Sequence, residues 1–415
     1  MAKKKKDKNK GMWRNLIIFF SVLGPGIITA NVDNDAGGIA TYSIAGAHFG
    51  FSFLWTIIPI IFALIVIQEM CSRMGAVTGK GLSDLIRENY GAKVTFYVMV
   101  ALLITNLGNV MAEFAGVAAS LEIFGLSKYY TVPVSAFFVW LIVVKGTSKA
   151  VEKVFLFACL FYVSYIISGF LADPNWTEVG IGLITPEINL DTPYLYMLIG
   201  LVGTTIAPWM QFYQQAAVVE KGIDIKTYRY ARWDVLIGCA LAGIVVFFIM
   251  IACAVTLFKS GVTIQTAADA ALALKPLAGK YCSWLFSFGL FNASLFAASV
   301  LPLSTAYYVC EGLGWEVGVD NSFKEAPQFY TLYTALIVIG AAVVLIPNFP
   351  LFFIMVFSQV LNGILLPFVL IFMFFLINKK ELMGDFTNGP VWNTVTLATV
   401  VVMVVLTAGM VVTLF

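Results

Sequence analysis

Two aspartates, Asp33 and Asp35, stand in the stretch TANVDNDAGG at 29–38, inside an otherwise apolar run. An ionised carboxylate near the middle of a bilayer costs at least ~2.5 kcal/mol on insertion scales and persists only beside a partner or a wet cavity. A cation is the natural partner. At i, i+2 spacing the pair would splay to different sides of an intact helix. Asp, Asn and Gly favour irregular backbone, however, so an unwound turn is expected here, with freed carbonyls beside at least one carboxylate. One of the two can instead cap a helix. Asp33 is the better candidate for that role, because the glycines behind Asp35 put the backbone break at Asp35 itself.

A second interrupted stretch lies at 200–211, where Gly200, Gly203, Thr204, Thr205, Ala207 and Gln211 surround Pro208. Proline has no N–H, so the carbonyl one turn back, that of Thr204, lacks its helical donor and must find a metal, a water or a neighbouring Thr hydroxyl. Asn106, Asn109 and Glu113 are spaced three and four apart and share one helix face. Such a stripe lines a cavity or proton path, or serves as hydrogen-bonding glue between helices. Ser358, Gln359 and Asn362 form a similar face with the same two readings. The only histidine, His48, reads as a surface residue rather than a proton shuttle, and Trp209 and Tyr213 read as packing or interface aromatics.

The elements that must position these groups follow from composition. The chain has 415 residues, 60% of them hydrophobic and 12% charged, with mean hydropathy +0.91. A soluble domain carries about 25% charged residues, so a water-soluble globule is excluded and one membrane domain is expected, embedded in lipid. Net charge is +2 and unevenly distributed. The opening MAKKKKDKNK is an orientation signal before an apolar span, not a nucleic-acid tail. Cys71, Cys159, Cys239, Cys253, Cys282 and Cys310 lack CxxC spacing, so they read as small core residues. The first apolar run has no cleavage site and is expected to stay in the mature protein. No GxxxxGK[ST], GxSxG or HExxH stands in a fitting context, which argues against an ATPase, hydrolase or other enzyme, and no cofactor is expected.

Apolar runs between polar breaks predict eleven helices, near 15–48, 52–76, 94–124, 129–147, 153–172, 192–220, 232–258, 279–312, 329–347, 350–377 and 391–415. Lys and Arg concentrate in alternate connections, at Arg73 to Lys93, Lys145 to Lys153, Lys221 to Arg232 and Lys379–Lys380, whereas the others hold few, such as Lys128 and Lys259. The positive-inside rule then places the amino terminus in the cytoplasm and the carboxyl terminus outside. The interruptions in the first and sixth helices lie five helices apart, as an inverted repeat produces, and matched broken helices point to a substrate site at the bilayer midplane. Gly and Pro merely easing helix packing is the plainer alternative. The expected organisation is a basic tail at 1–14, repeats at 15–173 and 192–377, and an eleventh helix at 391–415.

These residues resemble the Nramp divalent metal transporters, and more closely the Nramp-related magnesium transporters. LGPG at 23–26 and DAGGIATYSIAGAHFG from Asp35 are similar to that family's DPGNxATDxxAGAxFG, and RMGAVTGKGLSDLIRENYG from Arg73 to its cytoplasmic signature. GTTIAPW from Gly203 is similar to GATIMPH, and SQVLNGILLPF from Ser358 to SQxxLSxQLPF. The resemblance implies an all-α, leucine-transporter-type fold with an inverted five-plus-five helix repeat, alternating access, and a metal site at Asp35, the Thr204 carbonyl and Gln359, with Asp33 as a second carboxylate.

The departures carry information too. The family's ligand asparagine and methionine fall at Gly38 and Ala207. Thioether sulfur favours transition metals, whereas carboxylate, carbonyl and water suit Mg²⁺. Mg²⁺ dehydrates reluctantly, so a wider, oxygen-only site with Gly38 and Ala207 as space makers is expected to take it partly hydrated, and Mn²⁺ as well. The family's titratable relay positions fall at Trp209, Gln214 and Val110, leaving Glu113, so transport is expected to be uncoupled from protons. A proton-coupled Mn²⁺/Fe²⁺ importer is the nearest alternative; a sodium-coupled amino-acid symporter and a pore or sensor are others. The setting expected is a prokaryotic plasma membrane, with function as a monomer.

Overall fold

The computed structural model describes residues 24–145, 163–275, 279–319 and 321–414. The basic tail, the start of the first predicted helix, most of the fifth, and Cys159 lie outside the described residues. In chain order the α-helices are α1 (Pro25–Val32), α2 (Ala36–Phe49), α3 (Leu54–Thr78), α4 (Leu82–Glu122), α5 (Lys128–Lys145), α6 (Val163–Leu171), α7 (Trp176–Ile184), α8 (Thr192–Thr205) and α9 (Pro208–Glu220). There follow α10 (Tyr228–Cys253), α11 (Ala267–Ala271), α12 (Cys282–Leu313), α13 (Pro327–Val344), α14 (Leu351–Ile377), α15 (Lys380–Met383) and α16 (Pro390–Leu414).

Among the described residues nine helical stretches are long and apolar enough to cross a membrane, one of them running from α8 through α9. All-helical construction is what lipid demands, because a helix satisfies its backbone N–H and C=O groups internally. Large apolar side chains also stand exposed on the outer surface, among them Phe137 and Phe138 on α5 and Val401, Val402, Val404 and Val405 on α16. In water such a surface would associate, whereas against acyl chains it costs nothing.

The two interruptions expected from sequence are present. The first run divides into α1 and α2 around Asp33, Asn34 and Asp35, and the sixth into α8 and α9 around Ile206 and Ala207. Elsewhere the boundaries move. The third predicted helix begins twelve residues earlier, at Leu82 rather than 94, because the segment before it joins through a kink at Gly91, whose φ of 84° suits glycine. Helix α7 was not anticipated; its nine residues are too few for a span, and Asn175 caps it by accepting from Thr177 N–H.

Small residues let the broken helices approach their neighbours. A Cβ on Gly203 of α8 would lie 2.1 Å from the Gln359 carbonyl and 2.3 Å from Gly363 N on α14. One on Gly26 of α1 would lie 2.6 Å from Val235 N on α10. Asp234 on α10 fixes that crossing: its carboxylate oxygens accept from Gly24 N–H (3.0 Å) and Gly26 N–H (2.6 Å). A carboxylate on a helix N-terminus both fills orphan donors and complements the macrodipole.

Candidate functional site

The break between α1 and α2 follows from local chemistry. Asp35 sits at the N-cap of α2 with extended backbone, φ −70° and ψ −173°, and its Oδ1 accepts from Gly38 N–H at 2.6 Å. This reverses the sequence expectation, which preferred Asp33 as the cap. The geometry explains why: Asp35 immediately precedes the helical residue Ala36, so its side chain alone is placed to reach the orphan donor at the third helical position. Asp33 is left uncapping, 2% exposed, with Oδ1 unpartnered and Oδ2 3.4 Å from the Tyr42 hydroxyl. That hydroxyl also lies 2.9 Å from Thr205 Oγ1 on α8, which ties the two breaks together.

At the second break Pro208 opens α9, so Thr204 lacks the N–H donor its carbonyl would meet in a continuous helix. The Thr204 hydroxyl is buried and has no partner. The Gln211 amide donates to the Ala207 carbonyl at 2.9 Å and accepts from Gln68 at 3.3 Å, bracing the first turn of α9. Trp209 is buried and packs near Tyr213.

Gly38 does not leave a void. A Cβ there would stand 2.2 Å from the Asp33 carbonyl oxygen and 3.3 Å from Thr204 Oγ1, so glycine permits a folded-back backbone carbonyl rather than extra space. Among the described residues, the side chains expected to line a wide chamber are packed close together in this conformation. A cavity beside Tyr42 and Thr205 amounts to about 10 Å³, room for one water at most. Asp33, Asp35, Thr204, Ala207 and Gln359 are all buried, so the junction is closed around its polar atoms.

The stripes on α4 and α14 meet. Asn109 and Asn362 exchange reciprocal amide hydrogen bonds of 3.1 and 3.0 Å, Asn362 donates to Gln359 Oε1 at 2.9 Å, and Asn109 donates to Asn106 Oδ1 at 3.0 Å. Asn106 continues to the Leu301 carbonyl (2.9 Å) and to Thr305 on α12. Much of the stripe is therefore interhelical glue, and its end, Gln359, presses on Gly37 at the start of α2. Glu113 joins the break directly: its Oε2 accepts from Ala36 N–H at 3.2 Å, at the first residue of α2 beside Asp35. Ser358 turns its hydroxyl back on the Met355 carbonyl.

Around the two breaks, buried atoms without a partner accumulate: Asp33 Oδ1, both Asn34 side-chain atoms, Thr41 Oγ1, Glu113 Oε1, Thr204 Oγ1 and Gln359 Nε2. Asn34 was not singled out from sequence, although its place between the aspartates could have marked it. Buried polar atoms are normally satisfied, and this group is dominated by oxygens, two of them carboxylate. Such a set suits a hard cation. His48 stands apart at the exposed end of α2, accepting from Ile264 N–H at 3.1 Å. Cys71, Cys239, Cys253 and Cys310 are buried free thiols.

Comparison with known proteins agrees with this arrangement. The family model for natural resistance-associated macrophage protein-like (Nramp) proteins matches residues 26–413. A manganese transporter of Eremococcus coleocola, crystallised with an aromatic bis-isothiourea substituted compound, superposes with TM-score 0.79 at 21% identity, over 95% of this chain and 86% of that one. MhsT in complex with L-phenylalanine gives TM-score 0.62 at 15% identity (93% and 98% covered), and the nucleobase-cation-symport-1 transporter Mhp1 gives 0.58 at 16% (94% and 92%). The fold is thus the inverted-repeat one shared by these transporters.

Proposed function

Because the chain belongs to the Nramp family, we propose that it carries divalent metal ions, characteristically Mg²⁺ and also Mn²⁺, by alternating access without proton coupling. It is an integral membrane transporter of Nramp type and not an enzyme, and the metal is its cargo rather than a cofactor. The observation that carries the cation reading is the collection of unpartnered buried oxygens at two facing helix breaks. Asp35 is the principal charged ligand, Asp33 a second carboxylate, Thr204 a carbonyl ligand beside its free hydroxyl, and Gln359 an amide ligand once its side chain turns, since here its Oε1 accepts from Asn362 and its Nε2 faces Gly37.

Mg²⁺ is favoured by the donor set. Ala207 offers no thioether where the family resemblance puts methionine, and carboxylate, carbonyl and water ligands suit Mg²⁺. Gly38 contributes by letting the Asp33 carbonyl fold into the site, a role different from the space making expected of it. The hydrated ion needs more room than the closed junction has, so helix movement must open it. Absence of coupling is supported by the residues at the family's titratable relay positions, which here are Val110, Trp209 and Gln214. None of these titrates, and Gln214 is occupied with Thr29 (2.8 Å) and Ser72 (2.8 Å). The driving force is then the ion gradient plus the membrane potential, about 4.6 kcal/mol per 100 mV for a divalent ion at ~2.3 kcal/mol per charge. The lysine and arginine pattern supports an amino terminus inside and a carboxyl terminus outside, and the matched helix breaks support repeats at 15–173 and 192–377 with an added helix at 391–415. One chain contains both breaks, so a monomer suffices.

In proteoliposomes energised by a potassium diffusion potential, the protein is expected to take up Mg²⁺ and Mn²⁺ saturably with no stoichiometric change in an internal pH dye. Uptake accelerated by an inward pH gradient at constant potential would refute the uncoupled mechanism. Ala207→Met is expected to lower Mg²⁺ uptake about tenfold while Mn²⁺ uptake persists, about 1.4 kcal/mol of selectivity. Mg²⁺ transport unchanged by that substitution would remove the donor-set explanation.

A further inference from the structure

A second cavity lies apart from the helix breaks, at the other ends of α4 and α14. It measures about 400 Å³ and is lined by Ala119, Glu122 and Ile123 at the end of α4, by Gln265 to Ala268 leading into α11, and by Phe349, Leu351 and Phe352 at the start of α14. Helix rise places it relative to the site. Gly116 lies one turn below Ala119, about 5 Å along the axis, and a Cβ there would stand 2.5 Å from Ala36 Cβ. The floor of the cavity is therefore one turn above the first residue of α2. On α14, Phe352 and Gln359 are seven residues apart on one face, about 10 Å. The cavity therefore lies in line with the break along both helices, and the charge distribution argues for the outer side of the membrane.

Its size and charge select a class of occupant. Six waters at about 30 Å³ each make a hexahydrated divalent ion about 180 Å³ in volume. That fits a 400 Å³ chamber, whereas the junction is closed around its buried polar atoms. The chamber holds one formal charge, the exposed carboxylate of Glu122. Asp269, behind the rim, adds another: its Oδ2 accepts from Gln265 N–H (3.1 Å) and Thr266 N–H (2.9 Å). Lys128, six residues beyond Glu122, does not neutralise them, because its ammonium is directed to the Val344 and Ile346 carbonyls at 2.8 and 2.7 Å.

We propose that this chamber is a loading site where the cation is held with its complete water shell, by Glu122 and the polar rim at Gln265 and Thr266, before it sheds water to reach Asp35. Binding there is outer-sphere and does not depend on which metal lies inside the shell. The proposal deepens the transport reading, on which it rests for the direction of movement.

Hexaamminecobalt(III), an exchange-inert octahedral ion that cannot shed its shell, separates the two claims. Applied outside right-side-out membrane vesicles, it is expected to inhibit Mn²⁺ uptake by the wild type. Glu122→Gln is expected to weaken that inhibition about tenfold and to raise the KM for Mg²⁺ several-fold at low ionic strength, leaving the maximal rate unchanged. Gln265→Lys, which puts a positive charge on the opposite wall, is expected to do the same and covers the case in which the first variant fails to fold. Equal inhibition of wild type and both variants overturns the loading site, whatever ion is carried. Glu122-dependent inhibition of Mn²⁺ uptake in a protein that does not carry Mg²⁺ leaves the loading site standing and removes the magnesium assignment.

Discussion

Asp35→Asn is expected to leave the protein folded and to lower divalent uptake by a hundredfold or more. The residue is a helix cap in the structure and the principal ligand in the proposed function, two tasks that a single alanine substitution would confuse. As the N-cap of α2 it accepts from Gly38 N–H at 2.6 Å, and asparagine caps a helix about as well as aspartate, whereas alanine costs about 1 kcal/mol. As a ligand it supplies negative charge to a buried oxygen set, which asparagine does not. A hundredfold loss corresponds to about 2.8 kcal/mol of binding, modest for removing a charged ligand from a low-dielectric site. The check is paired: thermal unfolding in detergent and Mn²⁺ uptake on the same preparation. Asparagine should match wild type in the first and alanine should not, while both fail in the second. Uptake by Asp35→Asn within twofold of wild type would show that the aspartate is a structural cap and nothing more.

The other large effect lies at the end of α3. Glu69 and Arg73, one helical turn apart, form a buried ion pair at 3.1 Å, with side chains 6% and 10% exposed. Glu69 also accepts from Trp392 Nε1 (2.6 Å) on α16 and from the Tyr228 hydroxyl on α10. Arg73 reaches the Phe386 and Thr387 carbonyls at 3.0 and 3.1 Å and the Asn388 side chain. Four segments are thus pinned by one guanidinium and one carboxylate. Removing one partner of a buried pair typically costs 3–5 kcal/mol, and Arg73→Ala is expected near the lower figure, because Glu69 keeps its Trp392 and Tyr228 donors. Arg73→Lys is expected to recover only part of the loss, since an ammonium cannot reproduce the planar fork that serves several acceptors. Reversible unfolding in mixed micelles measures both. A loss below about 1 kcal/mol for the alanine variant would mean that the pair is no stronger than a surface ion pair.

Sequence reasoning reached the helix breaks for a definite reason. Gly, Pro, Asp and Asn act on the backbone within a few residues of themselves, so DNDAGG and TTIAPW announce irregular chain wherever the fold places them. It went astray where the outcome depended on one residue of register or on a distant neighbour. Asp33 and Asp35 have the same side chain and nearly the same surroundings in sequence; which one caps depends on where α2 begins. Gly38 read as empty space because sequence does not show that the Asp33 carbonyl folds back into it.

The sequence by itself therefore determined the membrane setting, the two interruptions and the oxygen-rich, sulfur-poor donors beside them, because hydropathy, proline geometry and ligand hardness are properties of the residues themselves. The tertiary structure alone decided that Asn109 and Asn362, 253 positions apart, would hold Gln359 against α2. It also decided that Asp234 would anchor the start of α1 from 208 positions away, and that the junction would close around its unpartnered oxygens. Pairings at such separations depend on how helices cross, and that is settled by the packing of the whole bundle rather than by any local run of residues.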